Sequence, residues 1–466
     1  MNDVFFNNVK IEKEIYYFLY IGEIKGYCLN EYLREALEKI KDRPVRYIAV
    51  VPDVWEEYYL DNLMVINPPA TTLTRKLGKT VHVRIPGRKF AEIVSSDDAV
   101  RSTIHELLTC QEEVYIHMFQ TFPEMSILQT PGVKLIGPEP GLSDRWNSKL
   151  YMYKKLQGLI PLPPFYICET KEKLLEVTKK LWYEWKEGVF VSLEYSAAGA
   201  FSLTAKSEEE MLEKLGTWKP PYLVTRFVPH KHDPTVLGVV ANERDVFIGC
   251  VADQCMEQVN KFRGSTYPSV LPTDLQEELK EITRRVGKEM ARTGYRGIFG
   301  CDYIIDDAGK AFFVEVNARK QGTTMEMCCT LESCLPLGCP NLLEIEFSAV
   351  TKSCYPEGCR ELEENPVEIH WGTYNFKAEE DVRTARRLVR PQSERDMFRR
   401  LLKDPEKKSQ HIVVEHVGKD VIVKKGSFVG RVISVGKDRK SMMASLEEGK
   451  SILKGTVEGV IQNERN

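Results

Sequence analysis

The chain has 466 residues, of which 42% are hydrophobic and 29% charged, and a formal net charge of −3. That length exceeds what one core usually supports and points to about three domains, in the composition range of a soluble globular protein. A slightly negative balance offers no basic footprint for nucleic acid or an anionic membrane surface.

In chain order, Met1 to Tyr20 scatters Asp3, Lys10, Glu12, Lys13 and Glu14 among its apolar residues, unlike the apolar core of a signal peptide. No later run approaches the roughly 18 apolar residues of a membrane helix, so a cytoplasmic protein is expected. A helical stretch covers Tyr32 to Lys41. Arg46 to Val51, closed by Pro52-Asp53, reads as a buried strand, as do Val114 to Met118 and Val133 to Ile136, which stops at Gly137-Pro138. Residues 1–140 therefore suggest a small α/β domain with a largely parallel sheet. Ser143 is the expected cap of a helix running to Leu156, and Pro161, Pro163 and Pro164 then impose an extended segment.

Strands are predicted at Phe165 to Cys168, Val189 to Leu193, Phe201 to Ala205 and Tyr222 to Val228. Helices fall at Lys171 to Leu181 and Ser207 to Leu215, with a small-residue loop over Ser196 to Ala200. Strands at Thr235 to Ala241 and Asp245 to Val251 follow. A loop around Arg263-Gly264-Ser265 and an amphipathic helix from Asp274 to Thr293 come next.

The most informative stretch is Gly300 to Arg319, two apolar strands joined by a polar turn from Asp306 to Lys310. A two-residue turn at Ala308-Gly309 would set Asp302 opposite Glu315, and Glu315 and Asn317, two residues apart, share a strand face. Two carboxylates and an amide oxygen without His or Cys suit Mg²⁺, which completes its shell with water and phosphate oxygens. An acidic, solvated hairpin face is the plain alternative. The clean alternation of Val314 and Val316 with Glu315 and Asn317 favours the site.

Six of the twelve cysteines lie between 328 and 359. No pair has the two-residue gap of a zinc knuckle and no His lies among them, so buried free thiols are expected rather than a metal cluster. The last hundred residues read as a charged helix from Ala378 to Leu402 and a Lys-rich hinge from Asp404 to Lys408. Strands at Ile412 to Glu415, Val421 to Val423 and Gly430 to Ser434 precede a final helix strongest over Ser441 to Gly449.

This order and its motifs resemble the ATP-grasp superfamily, strongly over about residues 130 to 350. The fold class this implies is α/β and α+β. An N-terminal α/β pre-ATP-grasp domain (1–140) would precede an ATP-grasp domain of two subdomains (141–350) and a C-terminal helical and β-rich region (351–466). The family pattern of an acidic residue, then Glu-x-Asn, then Arg matches Asp302, Glu315, Asn317 and Arg319. The resemblance implies that the first three hold Mg²⁺ or Mn²⁺ and that Arg319 stabilises charge on the transferred phosphoryl group. It further implies that Lys149 reaches ATP phosphates and that Ser196 and Gly199 approach a phosphate through their amides. Thr225, Arg226 and Phe227 would form the hinge strand that pairs with the adenine edge. One departure stands out: the strand before the small-residue loop usually ends in lysine, yet here Ser192-Leu193-Glu194 follows, so that charge is either missing or supplied by Lys206, Arg226 or Lys231.

Within the superfamily, the layout is similar to the branch of the pheganomycin-type peptide ligase and the glutamate–acyl-carrier-protein ligase of butirosin biosynthesis. The Lys-, Ile- and Asn-rich composition tilts the comparison towards the latter. The implied reaction is ADP-forming activation of an amino-acid carboxylate, L-glutamate by preference, with transfer to the phosphopantetheine thiol of an acyl carrier protein. Arg263, within Phe262 to Pro268, would grip a substrate carboxylate. Transfer to an amine and an inactive nucleotide-binding regulator are the alternatives. Neither nucleic acid nor membrane is an expected partner, and homo-oligomerisation stays open.

Overall fold

A computed structural model describes residues 4–55, 60–196, 201–257, 261–362, 369–404 and 410–460. The chain divides into two compact units: residues up to Pro140 together with those from Gly322 on, and Gly141–Gln321. The boundary expected at 350 is not drawn, because the chain after Gln321 clusters with the N-terminal residues.

In the first unit, a six-stranded sheet runs in the order Val4–Asn7, Leu63–Ile66, Val45–Val51, Tyr16–Ile21, Val114–Met118, Val133–Ile136. All pairs are parallel except the first. Every residue of Tyr16–Ile21 is buried, as a central parallel strand covered on both faces requires. Chain order reverses at this strand, a topology that opens a crevice beyond the strands' carboxyl ends.

The C-terminal part of the same unit departs from its predicted elements. The helix expected over Ala378 to Leu402 is only Glu394–Lys403. It is preceded by the strands His370–Lys377 and Val382–Thr384. Pro391 holds Arg390 extended, at φ −74° and ψ 145°, so the helix starts only after it. His370–Lys377 and His411–Glu415 flank Phe428–Gly436, and the helix Arg439–Lys454 packs on them. The expected Lys-rich hinge falls largely on residues 405–409, outside the described residues. Of the six clustered cysteines, Cys328 and Cys329 are buried, Cys334, Cys339 and Cys359 partly so, and Cys354 exposed. The expectation of buried thiols thus holds for two of them.

In the second unit, one antiparallel sheet has the order Ser202–Ala205, Val189–Leu193, Tyr222–Arg226, Phe165–Cys168. A second antiparallel sheet is built on Gly297–Asp306, which pairs with Pro234–Val240 on one side and Ala311–Asn317 on the other. Pro234–Val240 pairs with Val246–Glu257, which in turn pairs with Lys261–Tyr267. Arg263 therefore lies in a strand, not in the predicted loop. The helix Thr273–Arg292 covers this sheet through Leu279, Ile282, Val286 and Met290, spaced three or four apart on one stripe. Full burial of such a side chain contributes about 1.5–3 kcal/mol, so this stripe holds the sheet rigid beneath the site.

The expected helix from Ser143 to Leu156 is two helices, Pro140–Asn147 and Lys149–Leu156. Ser148, not Ser143, caps the second, accepting from the Tyr151 amide at 3.2 Å. An interior cap places Lys149 at a helix start, with its side chain directed by that turn.

Candidate functional site

The acidic hairpin keeps the expected facing pair by an unexpected route. At its tip Ile305 pairs with Ala311, and Asp306 N–H donates to Lys310 O at 3.1 Å, so the turn has three residues, Asp307 to Gly309. Gly309 takes φ +79°, which suits the left-handed position of such a turn. Taken alone, this turn would shift the register by one residue. A bulge at Val314 restores it: Tyr303 pairs with Phe313, then Asp302 with Glu315 and Gly300 with Asn317.

Asp302 is held on several sides. Its Oδ1 accepts from Thr235 Oγ1 at 2.7 Å and from Gln321 Nε2 at 3.2 Å, and its Oδ2 accepts from Asn317 Nδ2 at 2.8 Å. Burial, then the neighbouring Glu315 charge, pushes its carboxyl above the ordinary range, against the hydrogen bonds from Thr235 and Asn317. Arg319 donates through one guanidinium nitrogen to Asn317 Oδ1 at 2.7 Å and through another to Lys320 O at 3.0 Å. The Lys149 ammonium forms an ion pair with Glu315 Oε2. Lys149 and Asn317 are both buried. Asp302, Glu315, Asn317, Arg319 and Lys149 are thus brought together in one cluster.

Thr235 and Gln321 complete this cluster and carried no signal in the sequence reading. Gln321 Nε2 also donates to Thr235 Oγ1 at 3.0 Å, locking the two partners of Asp302 to each other. The available clue is Gly300, where an added Cβ would lie 2.0–2.3 Å from the Gln321 side-chain amide. Glycine there leaves the space that Gln321 occupies.

The donor set fits a divalent cation. Two carboxylates on facing strand positions, one with its proton affinity raised by the other, lose their repulsion when a cation lies between them. Asp302 Oδ2 and Asn317 Oδ1 each accept one hydrogen bond and keep a lone pair for a metal, and Glu315 lies on the facing strand position beside them.

The remaining expected site residues are distributed differently. Glu194, at the strand end where lysine was expected, accepts Ser148 Oγ at 2.6 Å, and its carbonyl accepts the Lys149 amide at 3.0 Å. It anchors the helix start that carries Lys149. Thr225 is buried in Tyr222–Arg226. The amide of Arg226 donates to Pro164 O and that of Phe227 to Gly188 O, so neither is left for an adenine edge. The Arg226 guanidinium stacks 5.8 Å from the Phe312 ring centre. Of the proposed substitute cations, Lys206 is exposed and Lys231 pairs with Asp307 at 3.2 Å. Ser196 is half-buried, and Gly199 lies outside the described residues.

Arg263 is not part of the hairpin cluster. Its guanidinium pairs with Glu257, with Nε at 2.6 Å. Its strand stands three places from Gly297–Asp306 in the sheet, which at ~4.8 Å per strand is about 14 Å.

Residues 146–323 match the model of a family described as the ATP-grasp domain. No curated protein matches the chain in sequence. Among solved structures, the biotin carboxylase–β-γ-ATP complex from Campylobacter jejuni superposes with a TM-score of 0.62 at 14% identity, covering 96% of this chain and 92% of that one. The 2-oxoglutarate carboxylase biotin carboxylase domain from Hydrogenobacter thermophilus, crystallised with MgADP and bicarbonate, gives 0.63 at 13% identity over 94% and 90%. N5-carboxyaminoimidazole synthase from Aspergillus clavatus, with ADP and 5-aminoimidazole ribonucleotide, gives 0.57 at 11% identity over 95% and 100%. At these identities the likeness concerns the fold, and that fold is ATP-grasp.

Proposed function

We propose that the chain is an ADP-forming, ATP-dependent carboxylate ligase. The observation that carries this reading is the pairing of Asp302 with Glu315 across the hairpin, with Lys149 on Glu315 and Arg319 on Asn317. In the proposed reaction, a carboxylate oxygen of the acid attacks the γ-phosphorus of ATP, and the bond to ADP breaks. An amine or thiol then attacks the carbonyl carbon of the acyl phosphate, and inorganic phosphate leaves. Such a step needs positioned anions and charge neutralisation more than covalent help. Mg²⁺ on Asp302 and Glu315 would supply that neutralisation when bound. Thr235, Gln321 and Asn317 fix the Asp302 carboxylate, so the oxygens are set before ligand arrives. Lys149, at a helix start braced by Glu194, brings a cation to the same face and stands in the role of the lysine absent at position 194. Arg319 steadies Asn317 and adds positive charge beside the carboxylates.

The finer reading takes L-glutamate as the acid and a carrier-protein thiol as the acceptor, on the motif resemblance given above. An amine acceptor uses the same nucleotide chemistry. Incubation with Mg-ATP, glutamate and a phosphopantetheinylated carrier protein, followed by intact-mass spectrometry, tests both levels. A glutamyl adduct with ADP release supports the finer reading. ADP release with another acid, or with an amine acceptor, replaces the substrates and keeps the ligase. No acid-dependent ADP release overturns the ligase reading itself.

A further inference from the structure

A pocket lies wholly within the first unit, between the helix Asp98–Cys110 and the short helical turn Ser126–Gln129. Its volume is about 300 Å³ and it opens to solvent. That is the lower end of the range for small-molecule sites, and an apolar cavity of about 150 Å³ already suffices to hold benzene.

The floor is apolar and fixed. Ile104, Leu108 and Ile127 line it. Ile104 and Ile127 are only 3% and 5% exposed and belong to the hydrophobic core of this unit, so packing beneath them keeps the hollow from closing. Arg101, Ile104, His105 and Leu108, three or four residues apart, form one stripe of the helix. The same helix therefore turns two polar heads and two apolar side chains towards the hollow.

The polar heads are donors without an acid. None of the lining side chains is a carboxylate. Arg101 Nε donates to Ser95 O at 2.9 Å, one of the last carbonyls of the helix Gly87–Ser96, which lack partners within their own helix. That bond fixes the guanidinium plane and uses one edge of it. Among the described residues, the two terminal nitrogens of Arg101 have neither a hydrogen bond nor an ion pair, and the His105 ring and the Ser126 and Thr130 hydroxyls are likewise uncommitted. Water can hydrate these heads, but it makes no use of the apolar floor beside them.

We propose that this pocket binds a small organic carboxylate with an apolar body. The planar carboxylate matches the remaining edge of the Arg101 fork, which a tethered Nε holds in place. His105, Ser126 and Thr130 surround it with further donors. The apolar body covers Ile104, Leu108 and Ile127. An inorganic anion would leave that floor wet, and a neutral apolar molecule would leave the guanidinium edge without an anion. The site requires neither nucleotide nor the hairpin, so it stands apart from the ligase reading.

NMR titration of the intact chain with benzoate and with hexanoate, without nucleotide, tests it. At least one should bind at low millimolar concentration or below. Its amide, which keeps the body and loses the charge, and inorganic phosphate should each bind at least about tenfold more weakly. Arg101→Gln should weaken carboxylate binding by a similar factor. Ser126→Trp, at an exposed position, should do the same by filling the hollow with Arg101 left in place. Glu315→Gln should leave binding unchanged. If Arg101→Gln fails to fold, Ser126→Trp carries the test. The proposal is overturned if neither carboxylate binds, if the amide or phosphate binds equally well, or if binding survives either pocket variant in a folded protein. Loss of binding in Glu315→Gln also overturns it, because the ligand then sits at the hairpin.

Discussion

Lys149 and Glu315 are 166 residues apart in sequence and meet as an ion pair whose side chains are only 10% and 22% exposed. The lysine is set by a helix cap and the glutamate by a strand bulge. Their meeting therefore depends on two separate local devices being right at once. In the absence of a metal, the ammonium offsets the charge that Glu315 places beside Asp302.

Glu315→Gln is expected to reduce ADP formation at least about a hundredfold, the scale on which losing one preorganised electrostatic partner is felt. The neutral amide keeps the shape, so the fold should persist, with a lower thermal midpoint because the buried Lys149 ammonium loses its anion. Turnover near the wild-type rate at ordinary magnesium concentration would remove the hairpin from the chemistry.

Lys149→Ala should raise the ATP constant roughly tenfold or more, because a hydrogen bond to a charged group contributes about 1.5–3 kcal/mol. It also leaves Glu315 without its cation, so the magnesium dependence should shift as well. Pairing it with Glu315→Gln in a double-mutant cycle should give clearly non-additive effects, since the two side chains touch. Additive effects and an unchanged ATP constant would make Lys149 a structural lysine of the helix start.

Gly300→Ala reaches the site indirectly. The new methyl would occupy the space of the Gln321 amide, which must swing away from Asp302 and Thr235. Turnover should fall about tenfold while unfolding changes little, because the displaced group is the far end of a flexible side chain. Gln321→Ala should give a similar loss, and the two combined should lose little more than either alone. Full additivity would mean that Gly300 acts through the backbone.

Asp53 provides a pH test of stability. In the folded chain its carboxyl is pushed up to about 8, against about 3.9 when unfolded. Between those values the native state holds a proton that the unfolded state has released. Stability from this group is therefore greatest at the acid end of the window and falls as pH rises towards 8. Each pKa unit corresponds to about 1.4 kcal/mol, so the fall is on the order of a few kcal/mol. Asp53→Asn keeps the acceptor for the Ile24 amide and should flatten the change in the urea midpoint between pH 5 and pH 8. The same slope in both proteins would assign it to another buried acid such as Glu394, which burial also pushes up to about 8.

The sequence by itself determined the elements whose signals are periodic and local. The buried strands Val45–Val51, Val114–Met118 and Val133–Ile136 were legible because parallel strands covered on both faces are short continuous apolar runs. The helix Thr273–Arg292 was legible from its apolar stripe. The acidic face was legible because a period of two fixes Glu315 and Asn317 on one side whatever the tertiary fold. The pairing of Asp302 with Glu315 was reached through a two-residue turn that the chain does not form. It survives because the bulge at Val314 cancels the extra turn residue, and neither deviation has a mark that local pattern alone discloses.

Only the tertiary structure decided what those faces touch. Thr235 and Gln321 reach Asp302 from another strand and from beyond the hairpin, and the cap at Ser148 depends on Glu194 some 46 residues away. Arg263 looked like a substrate grip from its glycine-containing surroundings, yet sheet pairing makes it a strand residue engaged by Glu257. The small polar pocket around Asp53 and His416 joins residues 363 positions apart in the chain, and among the described residues neither ring nitrogen of the buried His416 has a hydrogen-bond partner. Composition and periodicity report which side chains are turned inward. Whether a buried polar group has found its partner is a fact of three-dimensional packing.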